Sequence, residues 1–285
     1  MGVNYHVIES EFNKKLSTAY QLSILVGMDS LVYFVSDADK NHALLLKACS
    51  FDPPDKEPLD LAASLKGVFE NDVLLNILYR RVKIALPHTP ATLVPSRLYN
   101  DAGKTSYLEE LIQMDESGSV EVDEISDLAM RVVYPSINSL VSVLKKQFPT
   151  GRYYSPVTPF LRGCKTMLAE DAGHTVFAHF WNSGLYVSVF EKNSLHFFNA
   201  FSITSASDAL YYILLAFNQF KLDPNEVTLH LSGQVVRDSE IYKMLYRYIA
   251  QIQFLTEIPF LNFSKKYDDI PQHFFFILYA LSLCK

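Results

Sequence analysis

The chain has 285 residues, of which 49% are hydrophobic, so it is long enough for two domains of ordinary size with their own cores. Its formal net charge is -6, and its lysines and arginines form doublets rather than a long basic run. Because nucleic-acid binding needs clustered positive charge to displace counterions, this pattern argues against a nucleic-acid-binding protein.

The first half of the chain shows three apolar stretches separated by polar turns, followed by helical and further strand-like patterns. The predicted elements are strands at 21–27, 31–36 and 42–51, a helix at 58–79, strands at 82–86 and 128–134, and a helix at 136–148. An acidic segment with glycine and serine, 115–127, is interpreted as a solvated surface loop with one short strand.

The second half repeats this order more clearly. An Asn-Ser-Gly turn at 182–184 joins two stretches that are rich in β-branched and aromatic residues, as strands prefer. Apolar residues then recur at spacings of three and four within 207–220, as on one helix face, and Ser205 or Ser207 can cap this helix. The predicted elements are strands at 175–181, 185–190 and 195–203, a helix at 207–220, a strand at 227–231, a helix at 238–250 and a terminal helix at 271–284.

Two copies of strand-strand-strand-helix-strand-helix in one chain resemble the actin-like ATPase fold, which is ribonuclease H-like. The resemblance implies an α/β (α+β) protein with two lobes, 1–150 and 151–285, each with a mixed β-sheet flanked by helices. The chain is similar to the bacterial pilus-assembly (M-type) and secretion (L-type) proteins. More narrowly, it resembles an uncharacterised bacterial family of actin-like fold with no assigned function.

The resemblance also indicates where this superfamily contacts nucleotide. Its phosphate-binding Asp-x-Gly motif falls on Leu25-Val26-Gly27 in the first hairpin and on His179-Phe180-Trp181 in the second, so one glycine is retained. A small-Gly-Gly turn near the adenosine falls on Leu231-Ser232-Gly233-Gln234, which also retains one glycine. Leucine cannot hold Mg²⁺ through water, and a tryptophan ring closes the approach that glycine would leave open.

The cofactor that the resemblance implies is Mg-ATP. If a nucleotide binds, the retained residues Gly27, Asp29, Ser232 and Gly233 are expected to contact it. The alternative is that Asp29 and the two Ser-Gly pairs, 183–184 and 232–233, only form turns, as these residue types often do. No catalytic residue and no metal ligand is predicted, and Mg-ATP binding is not the favoured expectation.

Two other features of the sequence have simpler interpretations than a ligand site. Gly103-Lys104-Thr105 looks like the end of a phosphate-binding P-loop, but the first glycine of that motif is replaced by Leu98. Ser106 with Glu109 instead predicts a capping box at a helix start. The histidines are interpreted as core or sheet-face residues rather than metal ligands, because no carboxylate or cysteine converges on them in the sequence. They are His174, His179, His196 and His230.

Cysteine use and hydropathy predict the compartment. Cys49, Cys164 and Cys284 are odd in number and far apart, which fits neither a disulfide framework nor a metal site and favours a reducing, cytoplasmic location. The N-terminal segment is polar and acidic, unlike a signal peptide. The apolar run 274–284 is shorter than the ~20 residues that span a bilayer, so we expect a buried terminal helix and no transmembrane segment.

These observations leave two main hypotheses of function. The first is a binding or scaffold protein that retains the actin-like body, has lost catalysis and acts through an unidentified protein partner. The second is a nucleotide-binding protein or ATPase that uses altered phosphate contacts. A third hypothesis is dimerisation through exposed tyrosines, motivated by Tyr211-Tyr212 and by the cluster Tyr242, Tyr246 and Tyr248.

Overall fold

The computed structural model describes residues 5–51, 60–112, 119–169 and 173–285. The chain divides into two compact units. Unit 1 consists of Met1–Arg162, Phe260–Ile270 and Ile277–Lys285, and unit 2 consists of Gly163–Pro259 and Pro271–Phe276. The predicted lobes divide at residue 150 and place the whole terminal helix in the second lobe, whereas the structure groups the last nine residues with unit 1.

Unit 1 contains a six-stranded mixed sheet and a three-stranded antiparallel sheet. Its elements are β1 (His6–Ile8), β2 (Tyr20–Val26), β3 (Ser30–Asp37), β4 (His42–Ser50), α1 (Leu61–Asn71), β5 (Arg81–Ala85), β6 (Thr92–Pro95), β7 (Val120–Ile125), β8 (Met130–Pro135), α2 (Asn138–Gln147) and β9 (Arg152–Tyr154). The larger sheet has the order β1-β4-β3-β2-β5-β9, and the smaller sheet has the order β6-β8-β7. Helix α3 (Val157–Thr166) then leads into unit 2.

Unit 2 contains a five-stranded mixed sheet with the order β12-β11-β10-β13-β14. Its elements are β10 (His174–Trp181), β11 (Gly184–Glu191), β12 (Ser194–Ser202), α4 (Ala206–Gln219), β13 (Leu229–Gly233), α5 (Glu240–Leu245) and β14 (Ile252–Phe254). One face of this sheet packs with α4 and α5 into a core that includes Val176, Ala178, Ile213, Leu231 and Leu245.

The two larger sheets share one topology. If β1 is left out and the strands of each sheet are numbered along the chain, their order across the first sheet is third, second, first, fourth and fifth. The order across the second sheet is the same. In both, the first three strands pair antiparallel and the fourth strand pairs parallel with the first. The predicted duplication of a mixed sheet with flanking helices is therefore confirmed.

Several predicted helices are shorter than the sequence pattern indicates. For the helix predicted at 58–79, residues 58–59 lie outside the described residues, α1 ends at Asn71, and a 3₁₀ helix (Val73–Asn76) follows. Asp72 separates the two helices because its carboxylate accepts hydrogen bonds from Tyr33 Oη at 2.8 Å and Lys47 Nζ at 2.7 Å on the adjacent sheet. The helix predicted at 238–250 is regular only over α5.

The terminal apolar segment is buried, as predicted, but it is not one helix. It consists of a 3₁₀ helix (Gln272–Phe275), α6 (Phe276–Ala280) and a second 3₁₀ helix (Leu281–Leu283). Lys83 donates hydrogen bonds to the carbonyls of Ser282 and Cys284, which satisfies backbone acceptors where the helix ends. Across the described ranges, we found no helix both long and apolar enough to cross a membrane.

The start of α4 agrees with the prediction from the sequence. Ser205 Oγ accepts a hydrogen bond from the Asp208 N–H at 3.1 Å, and the Asp208 carboxylate accepts the Ser205 N–H at 3.0 Å. These two contacts form a capping box, so the predicted cap at Ser205 is confirmed. The capping box predicted at Ser106 is wrong, because residues Asp101–Tyr107 form a 3₁₀ helix that Asn100 caps.

Candidate functional site

The turn of the first hairpin holds Gly27 and Asp29, two of the four residues predicted to contact nucleotide. The Gly27 N–H donates to the Ser30 carbonyl at 2.8 Å, and Ser30 Oγ donates to Asp29 Oδ1 at 3.0 Å. A Cβ atom at Gly27 would lie 3.2 Å from both Ser30 oxygens. The Asp29 side chain is exposed, and its backbone carbonyl accepts the Phe51 N–H. Gly27 therefore serves the close packing of this turn.

The turn of the second hairpin is filled by an aromatic ring. Trp181 and Gly184 are directly opposite each other on β10 and β11. A Cβ atom at Gly184 would lie 2.1 Å from the indole ring of Trp181, and the ring centroid lies 4.1 Å from that of Tyr186. The space beside the Gly184 backbone is consequently occupied by the indole.

Gly233 lies where the end of β13 approaches β10. Its φ of +81° is in the left-handed region, and a Cβ atom there would lie 2.0 Å from the Phe180 carbonyl oxygen. The next two N–H groups are both used within the protein: Gln234 donates to the Phe180 carbonyl and Val235 to the Gly233 carbonyl, each at 2.8 Å. This turn presents neither of these donors to a ligand.

The Ser232 side chain is buried and contacts a histidine of the neighbouring strand. Its Oγ lies 2.9 Å from His179 Nδ1, and both side chains are buried. The pair joins neighbouring strands, because His179 on β10 is directly opposite Ser232 on β13. The interpretation of His179 as a core histidine is confirmed.

The four residues predicted to contact nucleotide are divided between the two units. Gly27 and Asp29 belong to unit 1, while Ser232 and Gly233 belong to unit 2. Cavities of about 550 Å³ in unit 2 and about 490 Å³ in unit 1 are lined by other residues. Nucleotide contact by these four residues stays a prediction.

Burial lowers the pKa values of three imidazoles in unit 2, those of His179, His230 and His273. Burial lowers the pKa of His179 to about 3, with a smaller effect of His273, and burial lowers the pKa of His230 to about 4. Burial also lowers the pKa of His273, whose Nε2 lies 2.9 Å from the Val235 carbonyl. Among the described residues, no group of three or more His, Cys, Asp or Glu side chains is placed to hold a metal ion.

The buried imidazole of His179 predicts acid sensitivity. Because its folded-state pKa lies below the ordinary value of 6.5, its stabilising effect is complete above that value and is lost as the pH falls towards 3. Acidification from about pH 7.5 to about pH 5 should therefore lower the free energy of unfolding by roughly 2 kcal/mol through protonation of His179. His179→Gln should remove that part of the pH dependence in urea unfolding. A His179→Gln variant whose stability changes with pH as steeply as that of the natural protein would contradict this assignment.

One buried carboxylate, Asp123 on β7, was not predicted from the sequence. Residues 115–118 of the segment interpreted as a solvated loop with one short strand lie outside the described residues. β7 is consistent with the predicted short strand, but Asp123 is buried, so the solvated interpretation is wrong there. Asp123 accepts hydrogen bonds from Tyr134 Oη at 2.9 Å, the Ser155 N–H at 2.9 Å and Thr158 Oγ1 at 2.5 Å. Burial raises the pKa of Asp123 to about 7 against the opposing effect of these donors. The partners lie up to 35 residues away in sequence, so local patterns gave no signal.

Comparisons with known proteins agree with this topology. A family model described as "Protein of unknown function (DUF3822)" matches residues 9–252. A search of curated proteins found no match. A Bacteroides thetaiotaomicron VPI-5482 protein with actin-like ATPase fold and unknown function is 21% identical, with a TM-score of 0.76 over 97% of this chain and 100% of that chain.

Two further solved structures have the same fold. The PilM-PilN type IV pilus biogenesis complex gives 12% identity and a TM-score of 0.61 over 92% of this chain and 97% of that chain. The ethanolamine utilization protein EutJ from Carboxydothermus hydrogenoformans gives 9% identity and a TM-score of 0.51, covering 93% of this chain and 90% of that chain. The predicted actin-like ATPase fold is confirmed, and at these identities the likeness concerns fold alone.

Proposed function

We propose that this chain, which belongs to the DUF3822 family of proteins of unknown function, is a non-catalytic binding or scaffold protein with an actin-like body. The observation that carries the proposal is the closed turn after β13. The N–H groups of Gln234 and Val235 are both donated to carbonyls of the protein itself. A phosphate site built on a turn needs such N–H groups to point at the ligand.

The other turns support the same proposal. In the second hairpin, the Trp181 indole occupies the space beside Gly184. In the first hairpin, the Gly27 N–H is donated to Ser30, and Leu25 stands where the fold family has its aspartate. The exposed Asp29 carboxylate is the one acidic group in this turn, and it already accepts the Ser30 hydroxyl. These residues are a poor fit to Mg-ATP.

A protein partner is the expected ligand. A scaffold acts by presenting surface to another macromolecule, and the pilus protein of the same fold was solved in a complex with PilN. That complex contains PilM and PilN, so it supports a protein as the kind of ligand but does not identify the partner of this chain. Nothing in the fold selects a particular partner.

The proposal can be tested with the single tryptophan of the chain. Because Trp181 lies at the second hairpin turn, its fluorescence should respond to any nucleotide that displaces the ring. We expect no saturable change in emission during titration with Mg-ATP up to millimolar concentration. Unfolding in urea serves as the control, since it exposes the ring and must change the emission.

The alternative function, nucleotide binding through altered contacts, makes the opposite prediction. It requires a saturable change that Asp29→Ala weakens. A saturable signal from Trp181 would contradict the scaffold proposal, and Asp29→Ala would then show whether the first turn takes part. Leu16→Ala, a change at an exposed site of unit 1 outside the turns, is the matched control.

A further inference from the structure

The outer edge of β12 is an open edge of the second sheet. β12 is nine residues long and is the last strand in the order β12-β11-β10-β13-β14. One side pairs with β11 along the whole strand. Among the residues that the structure describes, none forms a strand on its other side. An open edge presents unpaired N–H and C=O groups to any strand that can approach.

The duplicated sheet in unit 1 shows how the equivalent edge is closed. There β4 is the third strand, and β1 pairs antiparallel with it, joining His6 to Lys47 and Ile8 to Leu45. The topology is otherwise shared, so the first sheet has a covering strand and the second has none from the described chain. The β12 edge is therefore the position where an additional strand would make the two sheets alike.

The composition of β12 makes this edge unusual. Its sequence, SLHFFNAFS, contains no lysine, arginine, aspartate, glutamate, proline or glycine. Monomeric proteins protect long edge strands with charges, prolines or strong bulges, because a flat apolar edge pairs with other chains. β12 has one register shift, opposite the Val189–Phe190 step, which leaves the segment from Phe197 to Ser202 regular. This segment is suited to pairing.

The hydrogen-bonding phase of β12 identifies the outward groups. The Ile203 N–H donates to the Ser183 carbonyl, so alternate residues from Ile203 back along the strand face β11. The backbone groups of Phe198, Ala200 and Ser202 therefore face away from β11. In agreement, the Ala200 N–H is held by the side-chain oxygen of its neighbour Asn199 at 2.9 Å rather than by β11.

Helix α4 extends the apolar surface beside this edge. The Tyr212 ring is stacked on Phe201 of β12 with centroids 4.1 Å apart. Next to it, Tyr211 is 62% exposed and Leu215, one turn further along, is 43% exposed. A stable interface commonly needs about 1,600 Å² of buried surface, more than one strand supplies, and these side chains provide the additional apolar area.

We propose that β12 pairs antiparallel with β12 of a second copy of this chain, about a two-fold axis at Ala200. The pairing would join two five-stranded sheets into one continuous sheet. It places Ala200 opposite its own copy and Phe198 opposite Ser202, and the partner carbonyl replaces the Asn199 side chain on the Ala200 N–H. A second copy fits best because β12 has no formal charge, so identical strands meet without repulsion.

The dimer goes beyond the proposed scaffold function and does not depend on it. Of the tyrosines that motivated the dimerisation hypothesis, Tyr211 and Tyr212 lie beside the proposed interface. Tyr246 and Tyr248 are also exposed but belong to the segment that follows α5, and they have no part in this proposal.

The test is the mass of the full chain in solution by light scattering over a range of concentrations. We expect twice the chain mass of 32.4 kDa for the natural protein. Ala200→Pro should give a single chain, because proline removes the outward N–H and leaves the bonds to β11 intact. Ala200→Ser keeps the N–H and should remain a dimer. A natural protein that is monomeric at every concentration, or a dimer that Ala200→Pro leaves intact, would overturn the proposal.

A charge exchange tests the same interface without proline. Ala200→Lys and Ala200→Glu each place like charges opposite each other at the axis, so each variant alone should be monomeric. Mixing the two should restore a dimer that contains one chain of each kind. If either variant alone stays dimeric, or if the mixture gives only monomers, the antiparallel two-fold arrangement is wrong.

Discussion

Replacing Gly233 with alanine is expected to lower the free energy of unfolding by about 3 kcal/mol or more. The residue has a φ of +81°, and the added methyl carbon would lie 2.0 Å from the Phe180 carbonyl oxygen. A left-handed conformation alone costs an L-residue about 1–2 kcal/mol. The steric overlap adds to this cost because the obstacle is backbone in a parallel pair of strands and cannot rotate away.

The measurement is urea unfolding of the natural protein and the variant, with Gly173→Ala as the matched control. Gly173 is in the same unit, and an added Cβ atom there has no neighbour within 4 Å among the described residues. The control should stay within about 0.5 kcal/mol of the natural protein. A Gly233→Ala variant of natural stability would mean that this glycine is retained for a reason other than packing, such as ligand contact.

The second large effect is expected at Asp123. Asp123→Ala should lower the free energy of unfolding by about 3 kcal/mol, because three buried donors lose their acceptor at once. These donors are the Tyr134 hydroxyl, the Ser155 N–H and the Thr158 hydroxyl. Glu124→Ala is the matched control on the same strand, since this side chain is half-exposed and pairs with Arg131 at the surface. Equal stability of the two variants would contradict the assignment.

Asp123 also predicts a direction of pH dependence. Burial raises the pKa of this carboxyl from 3.8 to about 7, so the folded state holds the proton more tightly than the unfolded state. Its stabilising effect is therefore complete below the unfolded value and is lost as the pH rises through about 7. Asp123→Asn should remove this loss, which has the opposite sign to the effect of His179 in unit 2. If Asp123→Asn leaves the pH dependence of stability unchanged, the pKa of Asp123 is not raised in the folded state.

The repeated sheet could be predicted because its signals are local. Three strands joined by short turns appear in the sequence as short apolar stretches between definite turn residues, and the observed β2 and β3 agree with the predicted strands to within a residue or so. The capping box at Ser205 is equally local. Helix ends were less accurate, since α1 ends where Asp72 meets Tyr33 and Lys47 on strands far away in the sequence.

Features that depend on tertiary pairing could not be predicted. Asp123 occupies a buried position on β7, where an acidic segment reads as exposed, and only its distant donors make that burial possible. Ser232 appeared as a turn residue because its partner His179 lies 53 residues earlier. The open edge of β12 follows from the order of strands in the sheet, which a list of strands does not contain.

We propose that the actin-like body of this protein has no working nucleotide site. The most direct test of this proposal is a calorimetric titration of the full chain with Mg-ATP, with phosphate release followed in parallel. We predict no saturable heat at millimolar nucleotide and no hydrolysis above the rate without protein. Stoichiometric binding that Asp29→Ala abolishes, or steady turnover, would contradict the claim and identify the first hairpin as a rebuilt phosphate site.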